Sequence, residues 1–203
     1  MAPARLSKLR LLGLDRSGPP PLETRRGQPL RPWTIPNYVG YARLALIPVF
    51  LYLGMSSGDG RSGAAALIYA VIGATDYLDG ILARVTGQYS RLGVLLDPLV
   101  DRLLVVSGVL VAFRFELLPR WALGMLVARE LLMLILSRVA LDHGLDIAVS
   151  MVGRWAVWPT MFSIFLSMLS DTPLAPALLI LGLVLSYWAT AISIRDARRL
   201  GVR

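Results

Sequence analysis

Apolar residues run along this chain in stretches of about 20, each closed by a cluster of turn-forming or charged residues. A helix rises 1.5 Å per residue, so a stretch of this length crosses the roughly 30 Å hydrocarbon core of a bilayer. Such stretches fall near 37–55, 64–84, 92–114, 121–141, 152–169 and 174–194. The breaks carry turn chemistry, at Ser56-Ser57-Gly58-Asp59-Gly60, Thr86-Gly87-Gln88, Leu118-Pro119-Arg120, Asp142-His143-Gly144 and Asp171-Thr172-Pro173. The pattern predicts an all-α integral membrane protein, a bundle of six transmembrane helices with both termini on one side.

Composition agrees with that reading. The chain is 56% hydrophobic and 17% charged, with a mean hydropathy of +0.63, too apolar for an ordinary soluble domain. It has no cysteine, which excludes disulfides and thiolate metal sites and leaves oxygen ligands or the single histidine, His143. The net charge of +8 could suit nucleic acid, but the basic residues cluster in the tails and certain loops, so membrane lipid headgroups are the expected partner and nucleic acid is not. Residues 1–32 carry seven of these residues around Pro19-Pro20-Pro21 and read as a basic, mobile cytoplasmic tail ahead of a membrane domain at 33–203. This tail lacks the apolar core of a secretory signal, although its arginines leave an organelle transit peptide open. Fifteen Lys and Arg fall on the side of the two tails and of the loops after spans two and four, against Arg61, Arg114 and Arg120 on the other. By the positive-inside rule both termini face the cytoplasm, and with them the Arg84 end of span two and the Gly93 end of span three. The expected location is a bacterial inner membrane with the site on its cytoplasmic side.

Candidate chemistry lies in one segment, Asp76-x2-Asp79-Gly80-x2-Ala83-Arg84-x8-Gly93-x3-Asp97-x3-Asp101. An ionised side chain at a bilayer centre costs roughly 2.5–3.5 kcal/mol on insertion scales, so four carboxylates in apolar surroundings call for positive compensation, most simply bound divalent metal. On helices, Asp76 and Asp79 share one face, as do Asp97 and Asp101. Antiparallel spans two and three then form a single cage of four carboxylates near the cytoplasmic surface. Oxygen ligands alone select Mg²⁺ or Mn²⁺, and the count suits two ions, the arrangement that stabilises attacking and leaving oxygens at phosphorus. Gly80 and Ala83 allow close approach of a ligand, and Arg84 is placed to meet a phosphate. Gly73, Gly93 and Gly108 read as helix packing contacts. A cation or proton carrier built on the same acids is the non-enzyme alternative, but it would not require Gly80, Ala83 and Arg84 at fixed offsets.

All eight positions match the signature of the CDP-alcohol phosphatidyltransferase family, which this chain resembles. Thr34-Ile35-Pro36-Asn37 with Arg43 is similar to the family's first-span entry, and the six-helix layout agrees. The resemblance implies transfer of a phosphatidyl group from CDP-diacylglycerol to an alcohol with release of CMP, two metal ions, and a homodimer. By position, Asp76, Asp79 and Asp97 would be the principal metal ligands, and Asp101 a further ligand and the base for the acceptor hydroxyl. Asp76, Asp79, Gly80, Ala83 and Arg84 would line the CDP site. For the acceptor, Asp76-Tyr77-Leu78-Asp79-Gly80 and Ser90 to Pro98 are most similar to phosphatidylglycerophosphate and cardiolipin synthases, whereas Pro36 to Arg43 is similar to phosphatidylinositol synthases. Glycerol 3-phosphate is the expected acceptor, with Arg129, Arg138 and Arg154 as candidates for its phosphate. Phosphatidylglycerol and inositol or its phosphate are the alternatives.

Overall fold

A computed structural model describes residues 28–142 and 151–201, without the side chains at 79, 137, 139–142, 151–155 and 196–201. These residues form six helices and no strand: α1 (Ile35–Met55), α2 (Gly63–Thr86), α3 (Arg91–Arg114), α4 (Arg120–Asp142), α5 (Met151–Leu169) and α6 (Leu174–Gly201). Each apolar stretch of the sequence is therefore helical. The tail before residue 28 and His143 lie outside the described residues.

Among the described residues three helices are long and apolar enough to cross a membrane: Ile35–Met55, Gly63–Thr86 and Leu174–Arg195. In α5 the apolar run is the shorter Ala156–Leu169. The other two helices carry charge in their middles, Asp97, Asp101 and Arg102 in α3 and Arg129 with Glu130 in α4. Large apolar side chains point outward on every helix, among them Tyr52, Leu67, Leu95, Ile135, Val157 and Val184. Exposure on that scale is out of place in water, whereas lipid tails accept it without a partner.

The chain divides into two compact units. The first joins the chain up to Phe50 with Ile68–Leu104, and so holds most of α1 and α2 and the first half of α3. Its core is Ile47, Phe50, Tyr69, Ile72, Val100 and Leu104, with the Phe50 and Tyr69 rings 5.2 Å apart. Gly40 lets α1 approach α3, since a Cβ there would stand 2.4 Å from a methyl of Leu96. Gly87, with φ of +64°, turns the chain after α2, and Ser90 caps α3 by accepting the Gly93 N–H at 2.9 Å.

The second unit takes in Leu51–Leu67 and Val105–Arg203. Here α5 and α6 form the closest helix pair, with Ile164, Met168, Leu179 and Leu183 buried. Gly182 lies against Thr160, whose hydroxyl would be only 2.2 Å from an added Cβ. The Ser163 hydroxyl donates to the Ala175 carbonyl, and the Tyr187 hydroxyl to that of Met125 at 3.0 Å, tying α6 to both of its neighbours.

Candidate active site

The largest fully buried side chain of the described residues is charged: Arg43, on α1, with 1% of its surface exposed. Burying an ion costs several kcal/mol unless opposite charge and hydrogen bonds replace its water. Arg43 finds both inside the first unit. Its Nε donates to the Ile72 carbonyl at 3.1 Å, one of its terminal nitrogens to Asp76 Oδ1 at 2.8 Å, and the other to Asp101 Oδ1 at 2.8 Å. Ile72 and Asp76 are one turn apart on α2, so three donors of one planar guanidinium fasten α2 and α3 to α1. The arginine is sealed, whereas the Asp76 and Asp101 side chains are 44% and 51% exposed. Both carboxylates therefore remain open beside the sealed guanidinium.

Beside this clamp an open cleft is lined by Pro36, Asn37, Gly80, Ala83, Ser90, Gly93 and Asp97, among others. Asn37 frames it. The amide of this buried side chain donates to the Arg31 and Pro32 carbonyls at 3.0 and 3.1 Å, and its oxygen accepts the Ser90 hydroxyl at 2.9 Å. Gln88 Oε1 accepts the Ile35 N–H at 3.0 Å, and the Leu92 N–H reaches the Leu30 carbonyl at 3.2 Å. Residues 28–34, partly counted with the basic tail, are therefore laced to the turn that begins α3.

The sequence-predicted residues take distinct places. Asp76 and Asp101 meet on Arg43, and Asp97, Gly80 and Ala83 line the cleft. Arg84 lies over Gly80, its guanidinium nitrogens 3.5 Å from where a Cβ would stand. Gly93 is a packing position, as expected, because a Cβ there would come within 2.9 Å of Asn37 Oδ1 and 3.1 Å of the Ser90 hydroxyl. The backbone of Asp79 lies one turn beyond Asp76 on α2, and its side chain is not among those described. Of the acceptor-phosphate candidates, which all belong to the second unit, Arg129 is half-buried and paired with the adjacent Glu130, Arg138 is exposed, and the Arg154 side chain is not described. Among the described residues no three acidic or histidine side chains form a ready-made metal site. Of the four carboxylates expected to form a cage, Asp76 and Asp101 flank one guanidinium and Asp97 lines the cleft.

The motif spacing does not single out Arg43; its signal in the sequence is a lone cation in the middle of an apolar span, which at that depth must face protein rather than lipid.

The donor set fits a hard divalent cation by chemistry. Asp76, Asp97 and Asp101 offer only carboxylate oxygens, and Arg43 uses one oxygen each of Asp76 and Asp101.

Residues 33–188 match the family model described as CDP-alcohol phosphatidyltransferase. The chain belongs to this family. It is similar to the cardiolipin synthase (CMP-forming) of Streptomyces coelicolor, at 36% identity over 190 residues, covering 90% of this chain and 88% of that protein. It is also similar to the CDP-diacylglycerol--glycerol-3-phosphate 3-phosphatidyltransferase of Bacillus subtilis, at 29% identity over 153 residues, 70% of this chain and 79% of that one. The human cardiolipin synthase (CMP-forming) matches over 105 residues at 36% identity, 51% of this chain and 34% of the human protein. This CDP-alcohol phosphatidyltransferase is accordingly an integral membrane enzyme of phospholipid synthesis, and the clamp and cleft lie within the matched region.

Proposed function

We propose that this enzyme transfers the phosphatidyl group of CDP-diacylglycerol to phosphatidylglycerol, giving cardiolipin and CMP. The observation that carries the transferase reading is the meeting of Asp76 and Asp101 on Arg43 beside a cleft holding Asp97, Gly80 and Ala83. The acceptor rests on the Streptomyces likeness, which covers nine-tenths of this chain at the higher identity. Glycerol 3-phosphate is the second reading, favoured by the likeness to the Bacillus enzyme. It requires cations for a phosphate monoester, and of the three arginines available for it Arg129 is already neutralised by Glu130. A phosphodiester acceptor makes no such demand.

In the reaction the acceptor hydroxyl oxygen forms a bond to the phosphatidyl phosphorus, the bond from that phosphorus to the bridging pyrophosphate oxygen breaks, and CMP leaves with that oxygen. Asp101 takes the hydroxyl proton on the oxygen that Arg43 does not hold. Gly80 and Ala83 admit the CDP moiety, and Arg84 meets its phosphate. Two Mg²⁺ or Mn²⁺ ions held by Asp76, Asp79, Asp97 and Asp101 would neutralise the pyrophosphate and improve CMP as a leaving group. All six helices span the membrane in this reading. Both termini and the cleft face the cytoplasm of a bacterial cell, where a lipid donor is in reach, and the enzyme works as a homodimer.

The test is product identification by mass spectrometry, with purified protein, CDP-diacylglycerol and Mn²⁺ or Mg²⁺ given phosphatidylglycerol, glycerol 3-phosphate, inositol or inositol phosphate in separate reactions. Cardiolipin with one CMP released per product is the expected result. Phosphatidylglycerophosphate instead would move the assignment to the second reading. An intact, metal-loaded protein that releases no CMP with any acceptor would overturn the transferase assignment.

A further inference from the structure

Arg43 poses a question that the transfer reaction does not answer. A metal-binding cage of carboxylates has no need of a buried arginine, and a guanidinium on two of its members reduces their attraction for a second cation. Yet Arg43 is sealed at 1% exposure, and Asp76, Asp101 and the Ile72 carbonyl are among the groups it donates to. Its long side chain loses nearly all its rotamer freedom there, a cost its contacts must offset.

The arrangement makes sense if the cage must exist before metal arrives. Asp76 stands on α2 and Asp101 on α3, and the two carboxylates repel across the gap between those helices. Arg43 reaches them from a third helix and holds one oxygen of each, so their spacing is set by the rigid width of a guanidinium. We propose that Arg43 is the resident counter-ion of the carboxylate cage, a positioning residue that holds Asp76 and Asp101 in register without metal and competes with divalent cation for them. This rests on the metal-dependent reading of the site given above. Two consequences follow from one contact. The protein keeps its fold when metal is scarce, and its affinity for metal is weaker than the carboxylates alone would give.

The test needs no lipid substrate. Mn²⁺ binding to detergent-purified protein is followed by electron paramagnetic resonance of the free ion, and thermal unfolding is measured in chelator and in Mn²⁺, for native protein, R43Q and R43K. In R43Q the guanidinium charge is gone, and Mn²⁺ affinity is expected to rise about tenfold, on the scale of one charge-assisted pair. Its unfolding temperature falls below native in chelator, and Mn²⁺ recovers most of the difference. R43K keeps the charge but has no planar fork to span both oxygens, so it falls between the two in affinity and gains more stability from Mn²⁺ than the native protein does. R43K carries the test alone if R43Q does not fold. Variants that bind Mn²⁺ no tighter than native, or that are destabilised equally in chelator and in Mn²⁺, would overturn the counter-ion role while leaving the metal reading intact. Native protein that takes up no Mn²⁺ would overturn both.

Discussion

At the scale of single residues, the site is a set of polar groups that constrain one another. Asp101 accepts Arg43 on one oxygen, and the proposed mechanism assigns the acceptor's proton to the other. Asp101→Asn is nearly isosteric and its amide oxygen still accepts the guanidinium, so the clamp survives while the basic oxygen is lost. Turnover is expected to vanish with CDP-diacylglycerol binding largely preserved, checked by CMP release and by equilibrium binding of the donor. Near-normal turnover would remove Asp101 as the base. Two motif glycines part company in the same way. A Cβ at Gly93 meets Asn37 Oδ1 at 2.9 Å, and Asn37 is buried and tied to Arg31, Pro32 and Ser90, so it cannot retreat. Gly93→Ala should destabilise by about 1–3 kcal/mol, seen in thermal unfolding. At Gly80 the nearest atoms are the Arg84 guanidinium at 3.5 Å, the far end of a flexible side chain. Gly80→Ala should therefore leave stability within about 0.5 kcal/mol and raise the KM for CDP-diacylglycerol by narrowing the cleft.

At the scale of elements, helix ends and close approaches do the positioning. Ser90 ends one side of the α2–α3 turn by capping α3, and its hydroxyl proton goes to Asn37, so a helix cap and a cleft wall share one side chain. In the second unit α5 and α6 approach through Gly182, where a Cβ would stand 2.2 Å from the Thr160 hydroxyl and 3.0 Å from its backbone nitrogen. Rotating the hydroxyl away would not relieve the backbone contact. Gly182→Ala is expected to force the pair apart and to cost about 1–3 kcal/mol, measured as a lower unfolding temperature in detergent. The helices themselves were legible in the sequence because an apolar run of span length has few alternatives to a helix in lipid. What periodicity could not supply was the pairing of Gly182 with Thr160, since residues far apart in sequence meet only through the packing.

At the scale of the whole molecule, charge sets the predicted orientation. Fifteen Lys and Arg on one predicted side against three on the other should hold both termini in the cytoplasm. The chain has no cysteine, so single cysteines can be introduced without background. A cysteine at Arg203 should react with a membrane-impermeant maleimide only after the membrane is opened, and one at Asp59 should react in intact cells. The reverse pattern would invert the topology and turn the cleft away from the cytoplasm.

The sequence by itself determined the helices, the family and the segment in which the motif acids and small residues lie. Each is written locally: apolar runs set by the thickness of a bilayer, and acids and small residues at helical spacing. It also required that the charge of four carboxylates set in apolar stretches be compensated, and there local pattern ran out. The expected compensation was bound metal, and the fold adds a guanidinium from a span 33 residues before Asp76 and 58 before Asp101. Only the tertiary structure decided that partner, because an ion pair between helices depends on which faces meet, and side-chain spacing along one helix carries no information about the face of another.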